Sequence, residues 1–599
     1  MILADLCALY DSLEGTDDAL PPLCFSAKRP DAALVIAPDG TPREIRSLVP
    51  QGAKVGVRMV VPAGQRSSGI SPYFLCDNLE YLVGDGAKKA GEKRERSKEL
   101  HHEVLDGVDG TVSRAVLGFF DGHATVGELE AVARDFMDDP NRTKKTLVFM
   151  VEGEREYAHE DASVAEAWTR YRQEKEEREN GLVDCMVTGK AAARRARLFP
   201  KITGVPGAQS AGASLVGANA DSFLSYGQEK NDVAGISAEA AHKASEALSY
   251  LIKDRGHSVK LGKEVVVFWT DSPEPEPNDF MQAALGSSLD ETGNSVVRVG
   301  EDQALADAVA QFLLDLRSGR RPGRVPQDAG FHILGLSPYQ ARLSVRFYEA
   351  GSMGGLMDHV ERFLVEGELQ GARPLTVAQC LRQCAPQGNL DNLPRPLVTS
   401  VFDAFLSGTA FPPALYVQVL SRMRADGGFV PARMGKADVI DYRASVLKLC
   451  LARARGDAPY PSEKGKELTV ALNPENHDPA YLLGRLFALF EKAQLDANGG
   501  KKPSASIRDR YMGAAATTPA RVYPQLINLY GHHQSKASSG SYIDRTVGEV
   551  VDELDGGFPA TLDLEEQGVF YIGYYQQRQD LYRSKKGSDD NRDEAAEGK

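Results

Sequence analysis

The sequence predicts an α+β protein: a mixed N-terminal and central α/β region followed by a C-terminal α-helical bundle. Three observations predict it. Short apolar runs rich in β-branched residues crowd residues 1–84 and return between about 260 and 350, each bounded by Gly, Pro or Asp. From about residue 356 the apolar spacing turns helical. Asp478 followed by Pro479 then marks a strong helix start, because Asp caps a helix and Pro is tolerated in its first turn.

The start, MILADLCALYDSL, has the spacing of an amphipathic helix and lacks the basic flank and cleavage site of a signal peptide. DAALVIAPDGTPREIRSLV reads as two strands joined by a turn at Asp39-Gly40, and KVGVRMVVP as a third strand. That strand enters a loop with Gln65, Arg66, Ser67, Ser68, Tyr73 and Asn78. Gln, Arg and Asn side chains suit the edges of nucleic-acid bases, while Ser and backbone N–H groups suit phosphates. A polar connecting loop with no ligand is the competing reading.

Residues 85–180 read as a helical, highly charged insertion, within which His101 and His102 lack a third metal ligand. Residues 181–355 form an α/β region. It opens on CMVTGKAAARRARLFPKITGVPGAQSAGASLVGANA, which holds Lys190, Arg194, Arg195, Arg197 and Lys201 and no acid. Its glycines leave the backbone free to approach a ligand, so phosphate cradle and solvated loop both fit. The helix SAEAAHKASEALSYLI, capped by Ser237, follows, then the strand VVVFW, a helix near 301–317, and the strands FHILGL and RLSVRFYE. RSGRRPGR sets Arg317, Arg320, Arg321 and Arg324 on a connection. A helical region spans 356–470, the bundle 471–583, and a tail expected to be disordered 584–599. The bundle's aromatic stripe (Phe487, Phe490, Tyr523, Tyr530, Phe570, Tyr574) is expected in its core rather than as a stacking surface.

The formal charge of -14 hides clustered cations. Residues 51–76 carry Lys54, Arg58 and Arg66 with no acid, and residues 317–346 carry six arginines with Asp328. Residues 420–455 hold eight basic and three acidic side chains. Such segregation suits a protein that meets a polyanion on one surface, and chance clustering in charged helices is the alternative. No apolar run approaches the ~20 residues of a membrane helix. The seven scattered cysteines read as reduced structural thiols, so a cytoplasmic protein is expected. No G-x-x-x-x-G-K-[ST], H-E-x-x-H or G-x-S-x-G motif occurs, so the chain reads as non-catalytic, with no cofactor and no metal.

CMVTG, PKITGVPGAQSAGASLV, NADSFLSYG, FHILGLSPYQARLSVRFYE, AYLLGRLFALFEKAQ, IRDRYMGAAATTPARVYPQL and EEQGVFYIGYYQQRQ together resemble the large subunit of the type I-C CRISPR surveillance complex, Cascade. The series keeps that family's order from the first helix to about residue 582, with local departures at Gly217-Ala218, Tyr339 and Gln576. The resemblance implies an antiviral ribonucleoprotein in a prokaryotic cytoplasm. The subunit would read the protospacer-adjacent motif in duplex DNA, help unwind the target into an R-loop, and dock a separate helicase-nuclease. Its partners would be the CRISPR guide RNA, the target duplex and displaced strand, and the backbone and handle-binding Cas subunits. A small subunit like the C-terminal bundle would be translated from the same message. That bundle carries 11 basic and 13 acidic residues between Asp478 and Arg583, so any contact with the displaced strand must use one selected face.

The resemblance makes motif readers of Gln65, Arg66, Ser67, Ser68, Tyr73 and Asn78 in one loop and Gly207, Gln209, Ser210 and Asn219 in the other. Clustered charge places Lys54, Arg58, Lys190, Arg194, Arg195, Arg197, Lys201, Arg320, Arg321 and Arg324 on nucleic-acid backbone. A scaffold that binds guide RNA and other subunits without base readout remains the alternative.

Overall fold

The computed structural model of the chain describes residues 1–16, 18–53, 55–64, 69–86, 88–218, 220–225, 227–228, 230–254, 256–261, 263–272, 274–285, 315, 325–372, 375–425, 439–453, 468–501, 503, 506–534, 540–555 and 557–596. It is mixed α and β, with its sheets in the N-terminal and central regions and helices toward the C-terminus. The chain divides into two compact units: Met1–Ile202 with Ser214–Tyr250, and Thr203–Ala213 with Leu251–Lys599. Among the described residues no helix is long and apolar enough to cross a membrane.

The first unit is built on a four-stranded mixed sheet in the order Pro42–Ser47, Ala32–Ile36, Thr146–Val151, Cys76–Asn78. Ala32–Ile36 is buried at every position, as an interior strand covered on both faces must be. It forms the expected hairpin with Pro42–Ser47 through Asp39-Gly40. Its other neighbour, Thr146–Val151, runs parallel to it and lies inside the stretch expected to be helical throughout. LVFMV is an unbroken apolar run five residues long after Thr146, and the available sheet edge decides it as strand. The expected strand from Lys54 is shorter, Met59–Pro62, and pairs with Phe25–Lys28. Asp161 starts the Ala162–Asn180 helix by accepting from the Ser163 and Val164 N–H groups. In the Ala90–Leu105 helix Ser97, His101, Val104 and Leu105 are buried, so the charged helix presents one inward stripe. The N-terminal helix Ile2–Ser12 meets the Ala238–Lys253 helix through Cys7 and Lys243, whose partners are Ala240 O and Asp11. Ser237 caps the latter helix as expected, its hydroxyl accepting from the Ala240 N–H.

In the second unit Ser258–Leu261, Glu264–Thr270, Gly330–Tyr339 and Arg342–Ser352 pair consecutively as antiparallel neighbours. The helix expected near 301–317 and the arginine-rich connection after it lie outside the described residues. One hydrophobic core runs from Val259 to Leu581, joining this sheet to the C-terminal helices. Asp478 caps Pro479–Ala497 through the Ala480 and Tyr481 N–H groups. Ile507–Ala515, within the connection expected after it, is a helix of its own with Ser506 and Asp509 forming a capping box. Pro519–Gln534, Gly540–Asp552 and Leu564–Ala596 complete the bundle. The last helix runs past Ser584, where the composition predicted loss of order; extending an existing helix carries no nucleation cost. The aromatic stripe is buried, with Phe487, Tyr523, Phe570 and Tyr574 at 0% exposure, which removes it as a stacking surface. All seven cysteines are free and buried.

Candidate nucleic-acid interface

The first loop joins Met59–Pro62, in the two-stranded sheet, to Cys76–Asn78, the edge strand of the four-stranded sheet, and both of its stems are pinned by buried side chains. At one stem Cys24 adopts φ 73°, and its carbonyl accepts from the Ala63 N–H at 2.8 Å and from Trp168 Nε1 at 2.8 Å. At the other Leu75 adopts φ 51°, and its N–H donates to His101 Nε2 at 3.1 Å. His101 Nδ1 donates in turn to Ser97 O at 2.7 Å, which assigns a neutral ring. Burial pushes the His101 pKa down to about 4. Phe74 lies between them, stacked on Trp168 at 5.0 Å and tilted by 33° against His101 at 5.0 Å. Left-handed backbone at two non-glycine residues costs energy, and it persists here because these partners over-determine it.

Of the residues expected to read a motif in this loop, Gln65, Arg66, Ser67 and Ser68 lie outside the described residues, as does Lys54. Tyr73 and Asn78 are brought together by the buried Asp77, whose carboxylate accepts from both backbone N–H groups at 2.7 Å. The Tyr73 ring covers Gly64, where a Cβ would stand 2.2 Å from it, and carries Lys28 Nζ 4.1 Å from its centroid. Asn78 Oδ1 is buried and has no hydrogen-bond partner among the described residues. Arg58 is exposed. The signal that sequence reading missed is His101: its inward position follows from the 97, 101, 104, 105 stripe, whereas its neighbours in sequence suggested only a solvated helix.

In the basic half of the second stretch the cations do not share one fate. Arg197 donates Nε and Nη2 to the two carboxylate oxygens of Asp232 at 3.1 and 3.0 Å. Arg195 donates to Leu182 O at 3.2 Å and lies 3.7 Å from the same carboxylate. A phosphate would have to displace Asp232 to use either. Lys190 approaches Glu239 at 3.5 Å and keeps its side chain 65% exposed, so that pair is weak. Arg194 lies in a two-residue strand paired with Leu182–Val183, with Nε buried and without a partner among the described residues. Lys201 is exposed.

The glycine half, Thr203–Ala213, belongs to the second unit. Gly207 has φ +75°, and a Cβ there would stand 3.6 Å from Pro338 Cγ and 3.7 Å from Lys263 Cγ, so its backbone runs directly along both. Gln209 and Ser210 are exposed at this loop. Asn219, Arg320, Arg321 and Arg324 lie outside the described residues. Not all the clustered cations of residues 420–455 are on a surface that a polyanion could meet. Arg443, Lys448 and Arg453 are buried at 2%, 5% and 2% exposure. Arg453 pairs with Glu366 at 2.5 Å and donates to Ala404 O and Thr409 O, because the helix that it follows, Val439–Ala452, lies inside the core. Arg346 likewise donates to Ser337 Oγ at 2.6 Å.

A family model described as CRISPR-associated protein (Cas_Csd1) matches residues 6–582. No curated protein matches the chain.

Proposed function

The chain belongs to the Cas_Csd1 family of CRISPR-associated proteins, and from that premise we propose that it is the large subunit of a type I-C Cascade complex in a prokaryotic cytoplasm. In this reading it recognises the protospacer-adjacent motif in double-stranded DNA, helps part the strands into an R-loop, and docks a separate helicase-nuclease that cuts. The chain itself is non-catalytic. Base pairing with the guide RNA reads the long sequence, and the protein needs only loops that read a short one. Its partners are the guide RNA, the target DNA and the other Cas subunits, with a small subunit translated from the same message.

The observation that carries the reading is the glycine loop Thr203–Ala213, which runs against Lys263 and Pro338 and leaves Gln209 and Ser210 exposed. A flat amide on a backbone lacking a Cβ at its closest approach can reach base edges. The pinned stems of the 63–78 loop support it, since readout requires a loop that holds one shape.

The test is binding of target duplex by the assembled complex, with the adjacent motif intact or scrambled. Gln209→Ala with Ser210→Ala is expected to narrow the gap between the two duplexes. Arg194→Ala with Lys201→Ala is expected to weaken both equally and to lower the salt dependence. A wild-type complex indifferent to scrambling would replace this reading with the scaffold one. Metal-dependent cleavage of DNA by the isolated chain would overturn the non-catalytic assignment.

A further inference from the structure

Lys28 stands at the stem of the 63–78 loop and belongs to none of the basic blocks visible in the sequence. It ends the strand Phe25–Lys28, and the antiparallel register sets it opposite Met59, as it sets Ser26 opposite Val61. Residues directly opposite in such a pair share a face, and so do residues two apart along a strand. Lys28 therefore starts from the face of this ribbon that carries Met59 and Val61. That face is the inner one, because Val61 packs at 0% exposure with Ala33, Cys76 and Val148, and Met59 packs against the same cluster.

The side chain does not end on a carboxylate. Lys28 is half-buried, and its ammonium forms no ion pair or hydrogen bond among the described residues. It lies instead over the Tyr73 ring, 4.1 Å from the centroid. That ring is held twice. The Tyr73 N–H donates to the buried Asp77 at 2.7 Å, and the ring lies so close to Gly64 that a Cβ there would stand 2.2 Å from its Cδ1. Gly64 is the residue from which the chain enters Gln65–Ser68, so ring and ammonium sit at the base of that segment. A half-buried cation ordinarily meets an anion, because a ring face replaces its lost hydration only in part. No acid occurs in residues 19–30 or 51–76, and Arg29 and Arg58, next in sequence to Lys28 and Met59, are exposed at the same end of the ribbon. The aromatic ring fixes the ammonium without neutralising it, which leaves the charge for a ligand.

We propose that Lys28 is a phosphate contact at the mouth of this loop, taking a backbone phosphate of the target duplex beside the motif, and that Tyr73 is its positioning residue. The inference rests on the reading of this loop as a nucleic-acid contact and supplies the anchor that fixes the loop's register on the duplex. An ammonium is a compact charge with three donors and no acceptor, so it meets a phosphate oxygen and carries no choice of base. Gly64 makes room for the ring, and a side chain there would push the ring off Lys28.

The test is binding of intact-motif and scrambled-motif duplexes by the assembled complex over a series of salt concentrations, with guide RNA retention measured beside it. Lys28→Met keeps the alkyl stem and removes the charge. It is expected to weaken both duplexes by the same factor, roughly tenfold, the size of one charge-assisted hydrogen bond, and to reduce the salt slope by about one. Lys28→Arg should keep the slope. Tyr73→Ala should reproduce the loss of slope and add none in the Lys28→Met background, whereas Tyr73→Phe, which keeps the ring, should match wild type. A merely structural pair would lower Tm and leave the slope alone, and that result would overturn the site. So would a Lys28→Met complex in which the gap between the two duplexes narrows, which would make Lys28 a base reader, or one that loses guide RNA while duplex binding by the loaded complex is unchanged. If Lys28→Met binds both duplexes like wild type and wild type still distinguishes them, this site is wrong and the functional reading stands. If wild type ignores scrambling and Lys28→Met still lowers the slope, the functional reading falls and the phosphate contact stands.

Discussion

Arg197 grips Asp232 with two parallel hydrogen bonds, 3.1 and 3.0 Å long, across 35 residues of sequence. A stretch without a single acid is thus partly neutralised from outside itself. The carboxylate is 14% exposed and the guanidinium 40%, so the pair is half screened by water. It ties Arg197, just after the basic strand, to the 3-10 turn Lys230–Ala234.

Asp232→Ala is therefore expected to do two opposite things. It should lower stability by about 1 kcal/mol, seen as a small fall in Tm, because a bidentate pair and its geometry are lost. It should also raise sequence-independent nucleic-acid binding and its salt dependence, because Arg195 and Arg197 are released. Unchanged binding would mean that this face does not meet a polyanion.

His101→Leu should leave the Leu75 N–H unpaired in a buried site, at about 1–3 kcal/mol. A readout specific to the loop accompanies it: discrimination between intact and scrambled motif should fall more than overall affinity. The pH sign follows from the lowered pKa. His101 is neutral when folded, so its contribution is complete above the ordinary value of 6.5 and is lost as pH falls toward about 4. The variant should show a flatter acid limb in thermal unfolding between those values.

His102, one residue on, carries the opposite sign. Burial pulls its pKa down, but hydrogen bonds to Asp106 at 2.9 Å and Asp121 at 3.0 Å outweigh it, and the net shift is upward. A raised folded value means stability that is present below the unfolded pKa and lost as pH rises through the folded one. His102→Gln should thus lower Tm at pH 6 more than at pH 8.

The two longest bundle helices cross where each has a glycine. A Cβ on Gly484 would stand 2.0 Å from Phe570 O, and one on Gly573 2.4 Å from Tyr481 O. Either Gly→Ala change should cost about 1–3 kcal/mol by forcing the helices apart. Gly513→Ala is the control: nothing lies within 4 Å, so it should be neutral or slightly stabilising in chemical denaturation.

A fragment of residues 471–583 should not behave as a finished domain by itself. Tyr575 donates to Gln370 O at 3.1 Å, Tyr416 reaches the carbonyls of Leu564 and Glu565 at 3.0 Å, and both tyrosines are buried. Removing residues 356–470 uncovers that face of the last helix. Dye binding or self-association of the fragment, absent in the full chain, is the expected measurement.

Periodicity and capping were enough to place the central strands Glu264–Thr270, Gly330–Tyr339 and Arg342–Ser352, the helix starts at Ser237 and Asp478, and the buried aromatic stripe, because each depends on residues within one turn or one strand. Thr146–Val151 needed a neighbour: a five-residue apolar run becomes strand only when a sheet edge stands ready beside Ala32–Ile36. The site divides the same way. Glycine content marked Thr203–Ala213 as a close-approach loop, but Lys263 and Pro338 come against it only through strand register.

What the sequence by itself determined is the class of fold, the family resemblance and the loops in which contact residues sit. Only the tertiary structure decided which cations are available. Arg197 and Asp232 are 35 residues apart, and Arg453 and Glu366 are 87 apart. Charge counting along a chain sees neither pair, because Coulomb interaction acts over ångströms in space, and folding alone sets which charges come within that range.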